Sequence, residues 1–163
     1  MRLSASRPEA WSEPVLYAAA ALSLLAALIH LLVTPEHFEE WWGYGTFFLV
    51  CAVFQVTYAA IVVRRPARPV LLVGVACNLA VAILWLVTRT TGIPLGPHAG
   101  ETERVGILDL ACTVAEVGIV VGLGAFAMRG LATEGRIQVV VAFAASALLF
   151  WHLLHLLAGS AAH

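Results

Sequence analysis

The stretch VLYAAAALSLLAALIHLLVTPEHFEEWWGYG, Val15 to Gly45, changes character halfway along. From Val15 to Val33 nearly every residue is apolar, with Ser23 and His30 the clearest exceptions. A helix rises about 1.5 Å per residue, so a run of this length crosses the roughly 30 Å hydrocarbon core of a bilayer. From Pro35 to Trp42 the chain packs three glutamates, one histidine and two tryptophans into eight positions. This second part reads as the place where the chain leaves lipid, turns and re-enters. Thr34 suits the N-cap and Pro35 the first residue of a short surface helix, Glu36 and Glu39 follow near its positive end, and Gly43 can stop it. Trp41, Trp42 and Tyr44 then form the aromatic belt expected at a membrane–water interface.

The same alternation runs through the chain. Of 163 residues, 61% are hydrophobic and 12% charged, where a soluble domain carries about a quarter charged residues. Five apolar runs stand out: Val15 to Val33, Tyr44 to Val63, Val70 to Val87, Val105 to Met128 and Ile137 to Leu157. Backbone groups in lipid need partners within their own segment, which selects helices. The expected fold is all-α: a polytopic integral protein of the cell membrane, 1–163 forming one five-helix transmembrane bundle, with loops at 34–43 and 88–104. The first run is longer than the h-region of a signal peptide and is expected to be retained. A formal net charge of −1 and the absence of lysine give no reason to expect nucleic acid or recruitment to anionic lipid. The lipid bilayer is the expected partner.

All nine basic residues are arginine. Arg2, Arg7, Arg64, Arg65, Arg68, Arg129 and Arg136 fall on one side of the five spans, against Arg89 and Arg104 on the other. The positive-inside rule then puts the N-terminus in the cytoplasm and the C-terminus outside. All six histidines lie toward the extracytoplasmic side in this arrangement: His37 and His98 in the loops, His163 in the tail, and His30, His152 and His155 in the spans.

Counting from the outer end of each span places His30 and His155 about 4 to 5 Å deep, Asp109 about 6 Å and His152 about 8 Å, in one layer. Gln55, Asn78 and Glu116 come out at roughly 14 to 16 Å, near the midplane. Asp109 and Glu116, seven apart, share a face of the fourth span, with Cys112 and Thr113 between them. A carboxylate facing lipid costs roughly 3 kcal/mol, so this face is expected to turn inward and mark a site. Gly118 and Gly122, on another face, form a small-xxx-small pair suited to a close helix partner. Cys51, Cys77 and Cys112 fall in three different spans, form no C-x-x-C pair and read as small packing residues.

The pair His152-x-x-His155 can present two imidazoles to one ion, and His30, Asp109, His37 and His98 can add ligands for zinc, copper or iron. Alternatively, His30 with His152 or His155 could hold a b-type haem. The first function expected is therefore an outward-facing His/carboxylate cavity that binds a transition metal or haem. A second is a lipid- or isoprenoid-modifying enzyme, an isomerase or cyclase with Glu116 as general acid, Asp109 or a histidine as base, and Trp85, Trp151 or Tyr58 stabilising a cation. In architecture alone, with a few spans and buried acids, histidines and aromatics, the chain resembles small membrane sterol isomerases of the emopamil-binding type. A purely structural network is also open, with Glu116 bonded to Gln55 or Asn78 and Asp109 paired with Arg89 or Arg104, as is a non-catalytic membrane subunit. Thr88 to Gly106, rich in turn residues, reads as either a lid or a plain connector.

Overall fold

The computed structural model describes residues 13–128. The fifth expected span, with His152 and His155, lies outside the described residues, as do Arg2, Arg7, Arg129, Arg136, Trp151 and His163. Among the described residues the architecture is all-α, with four helices: α1 (Glu13–Glu40), α2 (Trp42–Arg64), α3 (Arg68–Thr90) and α4 (Ile107–Ala127). Each is long and apolar enough to cross a membrane. Their outward faces carry leucine and valine in quantity, Val53 at 60% exposure and Val121 at 64% among them, a density of exposed apolar surface that suits lipid and not water.

α1 differs from its expectation. It does not stop at Thr34 but runs on to Glu40, with Pro35 inside the helix. Proline has no N–H for the carbonyl four residues back, yet the neighbouring carbonyls are well used. Thr34 Oγ1 donates to His30 O at 2.6 Å, and His37 Nδ1 bonds Val33 O at 2.8 Å. The extra two turns are also held sideways on α2, where the His37 ring lies 4.0 Å from that of Phe48 and the Phe38 ring covers Gly45. The expected surface turn thus shrinks to one extended residue, Trp41 (φ −166°, ψ 135°), before α2 begins. Gly43, expected to end a turn, lies inside α2 under the Trp41 ring.

Small residues let α1 and α2 approach closely. Ala19, Ser23, Ala26 and Ala27 are buried on α1, and Gly45, Ala52 and Ala59 on α2, the pattern by which helices associate where lipid supplies no hydrophobic drive. α4 packs on both α1 and α3, and Arg68, near the start of α3, reaches the Ala127 carbonyl at the end of α4. The close partner of Gly118 and Gly122 is found within the chain: Leu22 lies against Gly118 and Val15 against Gly122, both from α1. Just past the C-cap of α3, Thr91, comes Gly92, whose φ of +71° and tight approach to the Glu101 carbonyl admit no side chain.

One polar chain crosses the bundle. Ser23 Oγ donates to the Gln55 backbone carbonyl at 2.9 Å and also contacts its side-chain oxygen. Gln55 Nε2 donates to Asn78 Oδ1 at 2.9 Å, and Asn78 Nδ2 to Gly74 O at 2.8 Å. All three side chains are almost fully buried, and the chain joins α1, α2 and α3. Next to it the Tyr58 ring rests directly on Gly74.

Two substitutions test this junction by thermal unfolding in mild detergent. Gln55→Leu leaves Ser23 its backbone acceptor but strands Asn78 Oδ1, and should cost about 1 to 3 kcal/mol. Gly74→Val must displace the buried Tyr58 ring and should cost a similar amount through overpacking. Val53→Ala, on the exposed face, should stay within about 0.5 kcal/mol. If Gly74→Val were as harmless as Val53→Ala, α2 and α3 would not meet there.

Candidate metal centre at the base of an apolar cavity

A cavity of about 430 Å³ opens among all four helices, near the end where α1 meets α2 and α3 leads into α4. Its walls are mostly apolar, built from Ile29 and Val33 of α1, Phe47 and Phe48 of α2, Val81 and Leu84 of α3, and Ile93 and Leu95 of the following loop. That loop is fastened over the bundle: Tyr44 Oη donates to Leu95 O at 2.7 Å, and Glu103 N donates to Thr88 O at 2.9 Å.

His30, Cys112 and Glu116 converge where the cavity is most buried. His30 Nε2 lies 3.2 Å from Glu116 Oε1 and 3.7 Å from Cys112 Sγ, and Cys112 Sγ lies 3.8 Å from Glu116 Oε1. Their exposures are 3%, 6% and 1%, and the three donor atoms lie close enough together to share one metal ion. Cys112 and Glu116 are four apart on α4 and therefore project from one face. They meet His30 because α1 is longer than its apolar run suggests. His30 is ten residues from Glu40, about 15 Å, and Glu116 is nine residues from Ile107, about 14 Å. Counted from the helix ends, His30 and Glu116 are therefore level, because α1 passes through Pro35.

Asp109, two residues from the start of α4, is brought to another place. Its Oδ2 accepts from Arg89 Nη2 at 2.5 Å and from Gly106 N at 3.1 Å. Arg89 Nη1 bonds Glu103 Oε2 at 2.6 Å, giving a cation between two carboxylates at the rim. Asp109 does not join His30, Cys112 and Glu116. Of the structural pairings weighed from sequence, Asp109 with Arg89 is present. Gln55 and Asn78 bond each other, while Glu116 faces His30. His37 lines the same cavity, and His98 sits on the exposed loop 3.1 Å from Glu101. Cys112 is the residue that sequence reasoning passed over. Its spacing to Glu116 was visible, but the partner imidazole on another helix was not.

No protein-family model, curated protein or solved structure matches this chain.

The rim carries a prediction of its own. The Arg89 side chain is about nine-tenths covered, while the Glu103 side chain is half exposed and that of Asp109 about a third exposed. Asp109→Ala, which removes the more buried carboxylate and the bond to Gly106 N, should lower stability by about 1 to 3 kcal/mol. Glu103→Ala should cost under about 1 kcal/mol, as solvent-facing pairs do. Thermal unfolding of the two variants side by side reads the difference, and equal costs would mean that Arg89 is not held mainly by Asp109.

Proposed function

We propose that the protein is a membrane-embedded metal-binding protein in which His30 Nε2, Cys112 Sγ and Glu116 Oε1 hold one zinc-class divalent ion. The observation that carries this reading is the donor triangle, with edges of 3.2, 3.7 and 3.8 Å. Three corners of a tetrahedral zinc site, with bonds of about 2.0 to 2.1 Å to nitrogen or oxygen and 2.3 Å to sulfur, lie about 3.3 to 3.6 Å apart.

Charge supports the same conclusion. A dication with one thiolate, one carboxylate and one neutral imidazole sums to zero, which suits a buried site, where a net charge is expensive. The mixed donor set narrows the ion. Sulfur disfavours magnesium and calcium, carboxylate disfavours copper(I), and zinc accepts nitrogen, sulfur and oxygen together. Haem fits this triangle less well, because a porphyrin fills four coplanar positions and leaves two opposed ones, whereas three donors here converge on one point. Since all three residues line the cavity, a fourth corner is available to water or to an oxygen of a bound molecule, the arrangement of a Lewis-acid site and not of a closed structural one. The arginine distribution supports an extracytoplasmic opening.

Elemental analysis of the full chain in mild detergent should give about one zinc per protein. Cys112→Ala and Glu116→Gln should each remove most of it, and the double variant little more, because ligands acting as a unit are not additive. Cobalt(II) in place of zinc should show a thiolate-to-metal charge-transfer band that Cys112→Ala abolishes. Asp109→Asn should leave metal content unchanged, and loss of metal in His152→Ala or His155→Ala would add a ligand from outside the described residues. Folded protein that takes up neither zinc nor cobalt would overturn the proposal, and a Soret band in the purified protein would redirect it to haem.

A further inference from the structure

The upper part of the cavity carries a second feature that does not depend on the metal. Trp85 and Arg89 sit one turn apart on α3 and both line the cavity, with the guanidinium carbon 5.5 Å from the indole ring centroid. The two terminal nitrogens of Arg89 are engaged: Nη1 with Glu103 and with Thr88 Oγ1, Nη2 with Asp109. Its Nε, and the indole Nε1 of Trp85, are buried with no hydrogen-bond partner among the described residues. A buried donor left unpaired costs roughly 1 to 3 kcal/mol, and here two occur on adjacent turns beside one cavity.

We propose that the cavity is a binding site for a neutral lipophilic molecule with a hydrogen-bond acceptor oxygen, a ketone, quinone or ester, whose entry shifts the side chains covering Trp85 Nε1 and Arg89 Nε and whose oxygen then takes their protons. The neutrality follows from local charge. Arg89 already faces two carboxylates, Asp109 and Glu103, so the rim sums to −1 and opposes a carboxylate or phosphate head group. The lipophilicity follows from the walls, where Phe47, Phe48, Val81 and Leu84 offer a molecule of ordinary ligand size nothing polar to bond. At about 430 Å³ the volume falls within the usual range for small-molecule sites, roughly 300 to 1,000 Å³. A water could satisfy one of the two donors, but the rest of the space offers it too few partners to be filled by solvent.

Benzophenone is a suitable probe, because its carbonyl is both the acceptor and the photoreactive group. The full chain in lipid nanodiscs is irradiated with it and the labelled peptides are sequenced by mass spectrometry, in competition with 2-tridecanone, tridecane or tridecanoate. The expected result is labelling on the α2 and α3 walls around Phe47, Phe48, Val81 and Leu84. The ketone should compete roughly five- to tenfold better than the alkane, the effect of one net hydrogen bond, and better than the carboxylate. Trp85→Phe keeps the ring and removes the donor, so it should narrow the ketone's advantage over the alkane. The wild-type competition series tests the proposal even if that variant does not fold. Labelling should persist after chelator treatment, which separates this site from the metal. Labelling confined to lipid-facing positions such as Val53 and Val56, equal competition by tridecane, or stronger competition by tridecanoate would each overturn the proposal.

Discussion

A polar side chain inside a bilayer has no water to turn to, so it must find its partner in the protein or pay the cost of being alone. The bundle is organised around that constraint. One buried layer, Ser23 with Gln55 and Asn78, joins α1, α2 and α3. The other, His30 with Cys112 and Glu116, joins α1 to α4. Ser23 and His30 are seven residues apart on α1, about 10 Å along its axis, so one helix face presents both layers in turn. Apolar packing alone would leave the rotation of each helix weakly determined, since lipid tails compete equally well for leucine and valine. The polar layers fix the rotations, and the small residues between them set the distance of approach.

The cavity follows from this use of polar groups. The sequence leads one to expect a polar chamber, because acids and histidines cluster toward one leaflet. In the fold those groups largely consume one another: Asp109 and Glu103 take Arg89, Glu116 takes His30, and His37 bonds a carbonyl of its own helix. The remaining walls are mainly apolar and aromatic. The chamber is therefore greasy along its length, with polarity concentrated at a buried base and at a rim.

Four of the expected spans were legible because twenty apolar residues between charged ends admit little else, and their limits agree with the helices to within a few residues except at the end of α1. That exception has a physical origin. Thr34-Pro35 is a strong start signal for a helix and an ordinary reason to end the previous one, but the local hydrogen bonds of Thr34 and His37 and the contacts with Phe48 and Gly45 keep one helix going. Counting from the end of the apolar run at Val33 and not from the helix end at Glu40 changes the position of His30 along the bundle by seven residues, about 10 Å. It separated His30 from Glu116 on paper and placed it beside Asp109 instead. The inward turn of the acidic face of α4 was readable from the cost of exposing it to lipid. Which acid meets which base was not, because spacing along a chain gives depth and face but not the azimuth of a neighbouring helix.

The single residue between α1 and α2 has a mechanical consequence. One extended residue reaches at most about 3.5 Å, less than the roughly 5.4 Å by which one helix must slip to re-engage a neighbour one turn along. Trp41 therefore leaves α1 and α2 no slack to ratchet past each other, and its ring, seated on Gly43, braces the joint. The pair forms one rigid unit. Residues 91–106, between α3 and α4, have length to spare, so any stroke that widens or narrows the chamber belongs to α3 and this loop, with α1, α2 and the α4 helix bound to α1 through His30 and Glu116 as the fixed frame.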